Sequence, residues 1–527
     1  MGAEKHPKGL YVLFFTEMWE RFGFYSMLAM FTLYLRSDQG FKWTAGEATR
    51  LLSIYLMFVY ASPLVGGWIA DRGLGYRRSV LIGGCVFMVG YLLLSIHSLA
   101  AVYIALVCLV VGNGFFKPNV STMVGHLYPE GSPLKDRAFN IFYMGINIGA
   151  LMSPIVAEFM RDRFGFRPAF TVAAGGMVIS VTILWVFKHY VEGSGARLGY
   201  SGSPAEPADV AATTENLPPH GISRQNPIDA VSDQLRIGAL VVVFLIVIVF
   251  WIVLNQGGST FTYWADDNTA WNVSGVISNA INPFWVITLT FPLVWFWGWA
   301  NRHGMEPSTP TKMALGMLLS AAALAVLYVA AKTGEAQEVT PEMYATADFT
   351  VTARSLAELR EQGVPEDLVE KLSKAEDAEH KPVILGQKFA AKEGSSGEQN
   401  LTEAVTRTIG KEEASRFMPL ILKSSYLYKV SPLWLIVAYM VITLGELMLS
   451  PMGLSLVSKV APVRMRGLMM GGWFLATAIG GYLSGIGVYW DRWLHSSFFI
   501  VLALMALGMS LVLFLLLKPL KKAMPGV

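Results

Sequence analysis

Residues 10–36 read LYVLFFTEMWERFGFYSMLAMFTLYLR, an apolar run of membrane-spanning length with Glu17, Glu20 and Arg21 at its centre. About 20 apolar residues suffice to cross a bilayer as a helix. A charge near the middle of such a helix costs roughly 2.5–3.5 kcal/mol even on a lenient scale, so these ions imply partners or a water-filled cavity. At about 100° per residue, Glu17, Glu20, Arg21 and Tyr25 share one helix face. Glu17 and Arg21 make an i,i+4 pair in the favourable order, acid nearer the N-terminus. Two carboxylates against one guanidinium leave an excess negative charge, or one bound proton. A static ion cluster tying helices together is the structural alternative.

Outward from this run the pattern repeats. Of 527 residues, 54% are hydrophobic and only 15% charged. A soluble domain carries about 25% charged residues, so an all-α polytopic membrane protein is expected. Apolar runs bounded by charges and Gly/Pro clusters predict twelve transmembrane helices near 10–36, 51–71, 79–97, 100–127, 137–160, 168–190, 236–265, 275–299, 311–332, 431–457, 466–488 and 496–517. With the N-terminus placed inside, 19 basic residues fall on the cytoplasmic connections and 7 on the opposite ones, the long insert excluded. That asymmetry predicts both termini in the cytoplasm. The net charge of +3 gives no argument for nucleic acid. Cys85 and Cys108 both lie in apolar runs, so neither a disulfide framework nor a metal site is expected, and no cofactor. The first apolar stretch, interrupted by charges and without a small-residue cleavage site, does not read as a secretory signal.

Two segments break the rhythm. Residues 191–235, rich in Gly, Ser, Pro and Asn, read as a flexible cytoplasmic linker between a first bundle of six helices (1–190) and a second. The second bundle is itself divided, into 236–332 and 431–527, by an insert at 333–430 that holds 17 acidic and 12 basic residues. The charge asymmetry places this insert outside the cell. Stretches beginning at Ser355 and Pro365 read as short amphipathic helices, so a small helical extracytoplasmic module is expected rather than a structureless loop.

Other ions sit where lipid would penalise them. Lys117 lies in the fourth predicted span beside Pro118, which cannot donate to the Gly114 carbonyl and so weakens the helix there. A lone lysine at this depth is deprotonated, paired, or available to an anion, unless it snorkels to the interface. Glu446 lies about 21 Å along the tenth span and can hold a cation or make a structural bond between helices. Tyr60, Asn147, Asn255, Gln256 and Asn282 supply polar companions, and Trp251, Trp285, Trp434 and Trp473 either line a cavity or sit at interfaces. A basic patch and an acidic patch split between two bundles suit a small zwitterion such as an amino acid or short peptide. The carboxylate excess of the first span offers a proton site.

These motifs resemble those of the proton-coupled oligopeptide transporters, a branch of the major facilitator superfamily. Glu17-x-x-Glu20-Arg21-Phe-x-Phe-Tyr25 is similar to the ExxERFxYY signature. The run from Gly67 through Asp71, Arg72 and Gly75 to Arg77 and Arg78 is similar to the superfamily's loop between helices two and three. Phe115-Phe-Lys117-Pro-Asn, Phe142-Tyr-Met-Gly-Ile-Asn147, Gly445-Glu446-Leu-x-Leu-Ser450-Pro and Gly472-Trp473-Phe extend the likeness through nearly all spans. The resemblance implies two six-helix bundles with a central site, alternating access, and uptake of di- and tripeptides with protons across a bacterial inner membrane, by a monomer. It implies that Arg21 and Lys117 meet the peptide carboxylate and Glu446 the amino group, with Asn147 and Asn282 on the backbone. Tyr25, Tyr60 and Trp473 would shape side-chain pockets, and Asn255 and Ser450 would complete the substrate set. Glu17, Glu20, Arg21, Lys117 and Glu446 would belong to proton coupling, and Gly67, Asp71, Arg72, Gly75, Arg77 and Arg78 to the cytoplasmic gate.

Three positions depart from the family pattern. Asn255 stands where an acid usually salt-bridges the lysine matched by Lys117, Leu28 where many members carry an arginine, and Phe24 for a tyrosine. Many bacterial members also carry two further helices between the bundles, and 191–235 lacks the apolar runs for them, so twelve spans are expected rather than fourteen. A carrier of nitrate or a modified amino acid on the same scaffold is an alternative, as is a substrate sensor signalling through the insert. No nucleophile–base or metal-ligand spacing suggests an enzyme.

Overall fold

The computed structural model describes residues 6–128, 134–192, 231–378, 381–391, 394–462 and 465–525. It opens with six long helices: α1 (Lys8–Arg36), α2 (Ala45–Ile69), α3 (Tyr76–Leu94), α4 (Leu99–His126), α5 (Leu134–Phe164) and α6 (Phe166–Val186). Residues 193–230, most of the expected linker, lie outside the described residues. Then come α7 (Asp233–Leu254), α8 (Thr260–Asp267), α9 (Ile281–Arg302) and α10 (Thr309–Glu335). The insert follows with α11 (Pro341–Tyr344), β1 (Phe349–Thr350), α12 (Ala353–Glu361), α13 (Glu366–Ser373), β2 (Lys388–Phe389), α14 (Gly397–Ile409) and α15 (Lys411–Ser425). Three long helices close the chain: α16 (Pro432–Val460), α17 (Arg466–Leu483) and α18 (His495–Ala523). Among the described residues, ten helical segments are long and apolar enough to cross a membrane. Together with the belts of exposed Leu, Val, Phe and Trp on their surfaces, they make this a multi-pass membrane protein.

Local chemistry explains the helix ends. Thr44 caps α2 by a reciprocal box: its side chain accepts from the N–H of Glu47, whose carboxylate accepts from the N–H of Thr44 at 2.8 Å. Gly75, at φ 75°, carries the sharp turn from the end of α2 into α3, a conformation that disfavours other residues. Pro118 leaves the Gly114 carbonyl without its helical donor, and α2 uses the gap. A Cβ on Gly66 would stand 1.9 Å from that oxygen, so only glycine permits this approach of α2 to α4.

The apolar run expected as one helix over 236–265 is two. α7 ends at Leu254, a tight turn covers Asn255–Gly258, and α8 resumes at Thr260. Two successive glycines, Gly257 and Gly258, remove helix propensity here. The freed polar groups then find partners outside the helix ladder. Gln256 donates to the carbonyls of Ile252 and Ser484, each at 3.0 Å, and Thr32 of α1 donates to the Gly258 carbonyl at 3.1 Å.

α1 packs on α5 and α6, α2 on α4, and α3 on α4 and α6; later in the chain α10 packs on α16 and α18, and α7 on α17. The two sets meet where α2 lies against α17 and α5 against α9. The insert has its own core around Phe349, Leu359, Val369, Leu401 and Ile421. The stretches at Ser355 and Pro365 form α12 and α13, with Pro365 at the N-cap of α13. The antiparallel pairing of Phe349 with Phe389 has no counterpart in the sequence reading, because two-residue strands leave no alternation to detect.

Candidate functional site

α1 carries three ions into the interior, with Glu17, Glu20 and Arg21 exposed by only 1%, 0% and 2%. Arg21 is committed to its sequence neighbour. Its Nε meets Glu20 Oε2, and its Nη2 donates to Glu20 Oε1 at 2.7 Å, a forked pair that fixes both side chains. Glu17 is the looser partner: Oε1 lies 3.4 Å from Arg21 Nε, and Oε2 is buried without a hydrogen-bond partner among the described residues. The i,i+4 geometry expected for Glu17 and Arg21 therefore exists, but the stronger bond goes to Glu20. The guanidinium also reaches Asn113 Oδ1 at 3.5 Å and lies 4.9 Å from the Phe24 ring centre.

Lys117, on α4, is half-buried and has no hydrogen-bond or ion-pair partner among the described residues. It sits in the electrostatic field of Arg21, Glu17 and Glu20. The Asn255 amide nitrogen is buried and has no hydrogen-bond partner among the described residues. Across from these, Glu446 of α16 accepts from Asn282 Nδ2 at 2.8 Å, and the same amide donates to Thr443 at 2.9 Å. Among the described residues Glu446 thus has a neutral anchor and no cation. Tyr25 and Tyr60 lie between the two patches, each within electrostatic reach of both Arg21 and Glu446. Tyr60 also faces the Trp251 ring at 6.0 Å, which joins α2 to α7.

A cavity of about 390 Å³ adjoins this cluster, walled by α5 at Asn140, Tyr143 and Asn147 and by α9 at Val286, Thr290 and Trp295. Tyr143 is itself near Glu446 and Tyr25. Asn147 donates to the Tyr143 carbonyl at 2.9 Å and so keeps its amide oxygen free of that bond. Trp473 is buried against Phe244 of α7. The side chain of Ser450 lies outside the described residues. Asn113, Thr443 and Tyr143 were not singled out from the sequence. Asn113 and Thr443 stand four and three residues before Lys117 and Glu446 on the same helix faces, and that spacing was the available signal.

The insert-side end of the molecule is tied shut between its two sets of helices. Arg36 of α1 pairs with Asp267 of α8 at 3.0 Å, and Glu158 of α5 accepts from the Ser274 N–H at 3.0 Å. The insert joins this closure. Lys388 reaches Asp266 at 3.1 Å and Asp267 at 3.0 Å, and Gln387 donates to the Lys42 carbonyl, also at 3.0 Å. Burial works against the Lys388 charge, but Asp266 and Asp267 outweigh it and raise the amine above the ordinary lysine range. At the opposite end the loop residues stand apart from this closure. Arg72 stacks on Trp68 at 4.4 Å, Asp71 bonds Tyr76, and Arg77 lies 3.8 Å from Glu192. Arg78 is exposed, and a Cβ on Gly67 would meet Pro118 at 3.6 Å, an ordinary contact distance.

A family model described as the POT family matches residues 77–194, 209–359 and 404–493. The uncharacterized transporter YclF of Bacillus subtilis is 27% identical, over 100% of this chain and 96% of its own. A di-/tripeptide transporter of Lactococcus lactis subsp. lactis is 26% identical, over 99% of this chain and 97% of its own. The crystal structure of the peptide transporter POT in complex with sulfate is 25% identical. It superposes with a TM-score of 0.71, over 100% of this chain and 97% of that one.

Proposed function

Because the chain belongs to the POT family, we propose that it takes up di- and tripeptides together with protons by alternating access. The observation that carries this reading is the unequal commitment of the buried ions. Among the described residues Arg21 is occupied by Glu20, Lys117 has no partner, and Glu446 is held by neutral groups alone. A desolvated cation and a desolvated anion left open on separate helices are matched by the two ends of a zwitterionic peptide. Lys117 takes the C-terminal carboxylate, with Arg21 behind it, and Glu446 takes the amino group. Asn147 and Asn282 serve the backbone, with Asn255 and Ser450 in the same set, and Tyr25, Tyr60 and Trp473 bound the side-chain space.

Glu17 is the proton carrier in this scheme, with Glu20, Arg21, Lys117 and Glu446 as its network. Its unpartnered oxygen can accept a proton without breaking an existing bond, whereas protonating Glu20 would strand Arg21. The helices form twelve spans in two bundles of six within a bacterial inner membrane, 1–190 and the pair 236–332 with 431–527, joined by 191–235. Both termini are cytoplasmic, the 333–430 insert is outside, and the protein acts as a monomer. Asp71, Arg72, Arg77 and Arg78, with Gly67 and Gly75, belong to the cytoplasmic gate. Counterflow of labelled dialanine in proteoliposomes, with and without a pH gradient, tests the proposal. Exchange without a gradient and accumulation only with one is the expected outcome; absence of exchange sinks it.

Opening the insert side must either break Lys388 from Asp266 and Asp267 or carry the insert along with α8 and release Gln387 from Lys42. Lys388→Ala is expected to raise the open population about fivefold, the effect of a partly buried ion pair worth roughly 1 kcal/mol. Spin-label distances between positions 38 and 272 would read this as a larger long-distance fraction. An unchanged distribution would remove the insert from the gate.

A further inference from the structure

A second cavity, of about 730 Å³, shares no lining residue with the first and lies where the insert meets the ends of α2 and α17. Its lining residues are of two kinds. Ile54, Leu483 and Ile486 are apolar, while Tyr482 and Tyr489 add ring faces with a hydroxyl at the edge. Tyr482, Leu483 and Tyr489 are 49%, 44% and 39% exposed, which is unusual for such large side chains beside a hollow unless something apolar meets them. The lining also carries Arg50, one helical turn before Ile54 on α2, and Arg492. Both are exposed, and neither guanidinium has a hydrogen-bond or ion-pair partner among the described residues.

Two carboxylates also line the cavity, and both already have hydrogen-bond donors. Glu47 closes the capping box on Thr44, accepting from its N–H and, at 2.9 Å, from its hydroxyl. Asp491 accepts from the backbone N–H groups of Ala45 and Gly46 and lies near Arg36. The cavity is therefore left with two open cations and an apolar, partly aromatic lining. That lining continues along the membrane-facing length of both helices, through Phe58, Val65 and Trp68 on α2 and Ile479 and Leu475 on α17, all exposed. Tyrosines at the end of membrane-spanning helices suit a membrane–water interface, and two arginines lining one cavity suit a phosphate, which a guanidinium can grip by forked hydrogen bonds.

We infer that this cavity binds an anionic phospholipid. Its phosphate sits between Arg50 and Arg492, its glycerol lies against Tyr482 and Tyr489, and its acyl chains run down the α2–α17 seam. Because the walls come from the insert and from both sets of helices, a bound lipid braces the closed insert-side end. The inference needs only that the chain sits in a membrane and is independent of what the central site carries.

Native mass spectrometry of the full-length purified chain tests it, with phosphatidylglycerol and phosphatidylcholine of identical acyl chains as probes. The unaltered chain is expected to retain phosphatidylglycerol about tenfold over phosphatidylcholine, and the exposed double variant Arg50→Gln/Arg492→Gln to lose that preference. Arg50→Lys/Arg492→Lys, which keeps both charges but gives up the forked geometry, should keep the preference, because it is net charge that separates the two lipids. An unshifted thermal unfolding temperature of the glutamine variant shows that its loss is not misfolding. Equal retention of the two lipids by the unaltered chain would overturn the inference, as would undiminished preference in the glutamine variant. Displacement of the lipid by an equal concentration of glycerol 3-phosphate would also overturn it, since the site would then recognise a soluble anion.

Discussion

A chain carrying Lys117→Gln takes up dialanine with kcat/KM lowered about a hundredfold, while its folding is little disturbed. The magnitude follows from removing one member of a desolvated ion pair between protein and substrate, about 3 kcal/mol. The undisturbed folding follows from the geometry. Lys117 has no partner among the described residues, so its neutral replacement strands no buried carboxylate. Arg21 is the instructive contrast, because its loss would leave Glu20 buried at 0% exposure without its forked partner. Removing one side of such a buried pair is strongly destabilising, by about 3–5 kcal/mol. Initial uptake rates in proteoliposomes, paired with thermal unfolding of both variants, separate the two cases. Undiminished uptake by the Lys117 variant would end its role as the carboxylate anchor.

The second large effect separates coupling from transport. Glu17→Gln should keep dialanine counterflow within about threefold of the unaltered rate and lose at least about tenfold in gradient-driven accumulation, as expected for an intramembrane acid that relays protons. Glu17 is singled out over Glu20 because one of its oxygens is buried without a donor among the described residues. An amide there keeps the shape and mimics the protonated state, so substrate exchange persists while the proton step is lost. Accumulation that survives the substitution would move the proton site to another carboxyl.

Much of this could be read in the sequence for a plain reason. Charges in apolar runs are so costly that their positions mark the interior, and Glu17, Glu20, Arg21, Lys117 and Glu446 announce themselves by that cost alone. Partner choice was less legible. A helical wheel ranks Glu17 as the partner of Arg21, yet long side chains can meet around the helix, and the forked bond to adjacent Glu20 prevails. The break at Asn255–Gly258 was masked because the apolar composition continues through it. Only Gly257 and Gly258 hinted at the interruption, and what completes it is Thr32, distant in sequence. Lys388 shows the same limit: in a polar insert it is one lysine among several, and only the fold brings it to Asp266 and Asp267.

The central claim is that Lys117 and Glu446 hold opposite ends of one peptide. Its most direct measurement is competition by dialanine and N-acetyl-dialanine against labelled dialanine, in the unaltered chain and in Glu446→Gln. Acetylation should weaken binding to the unaltered chain about thirtyfold or more, from the lost charge-assisted bonds, and should make almost no difference to the variant. If acetylation carries the same penalty in both, or none in the unaltered chain, Glu446 does not meet the amino group and the account is wrong.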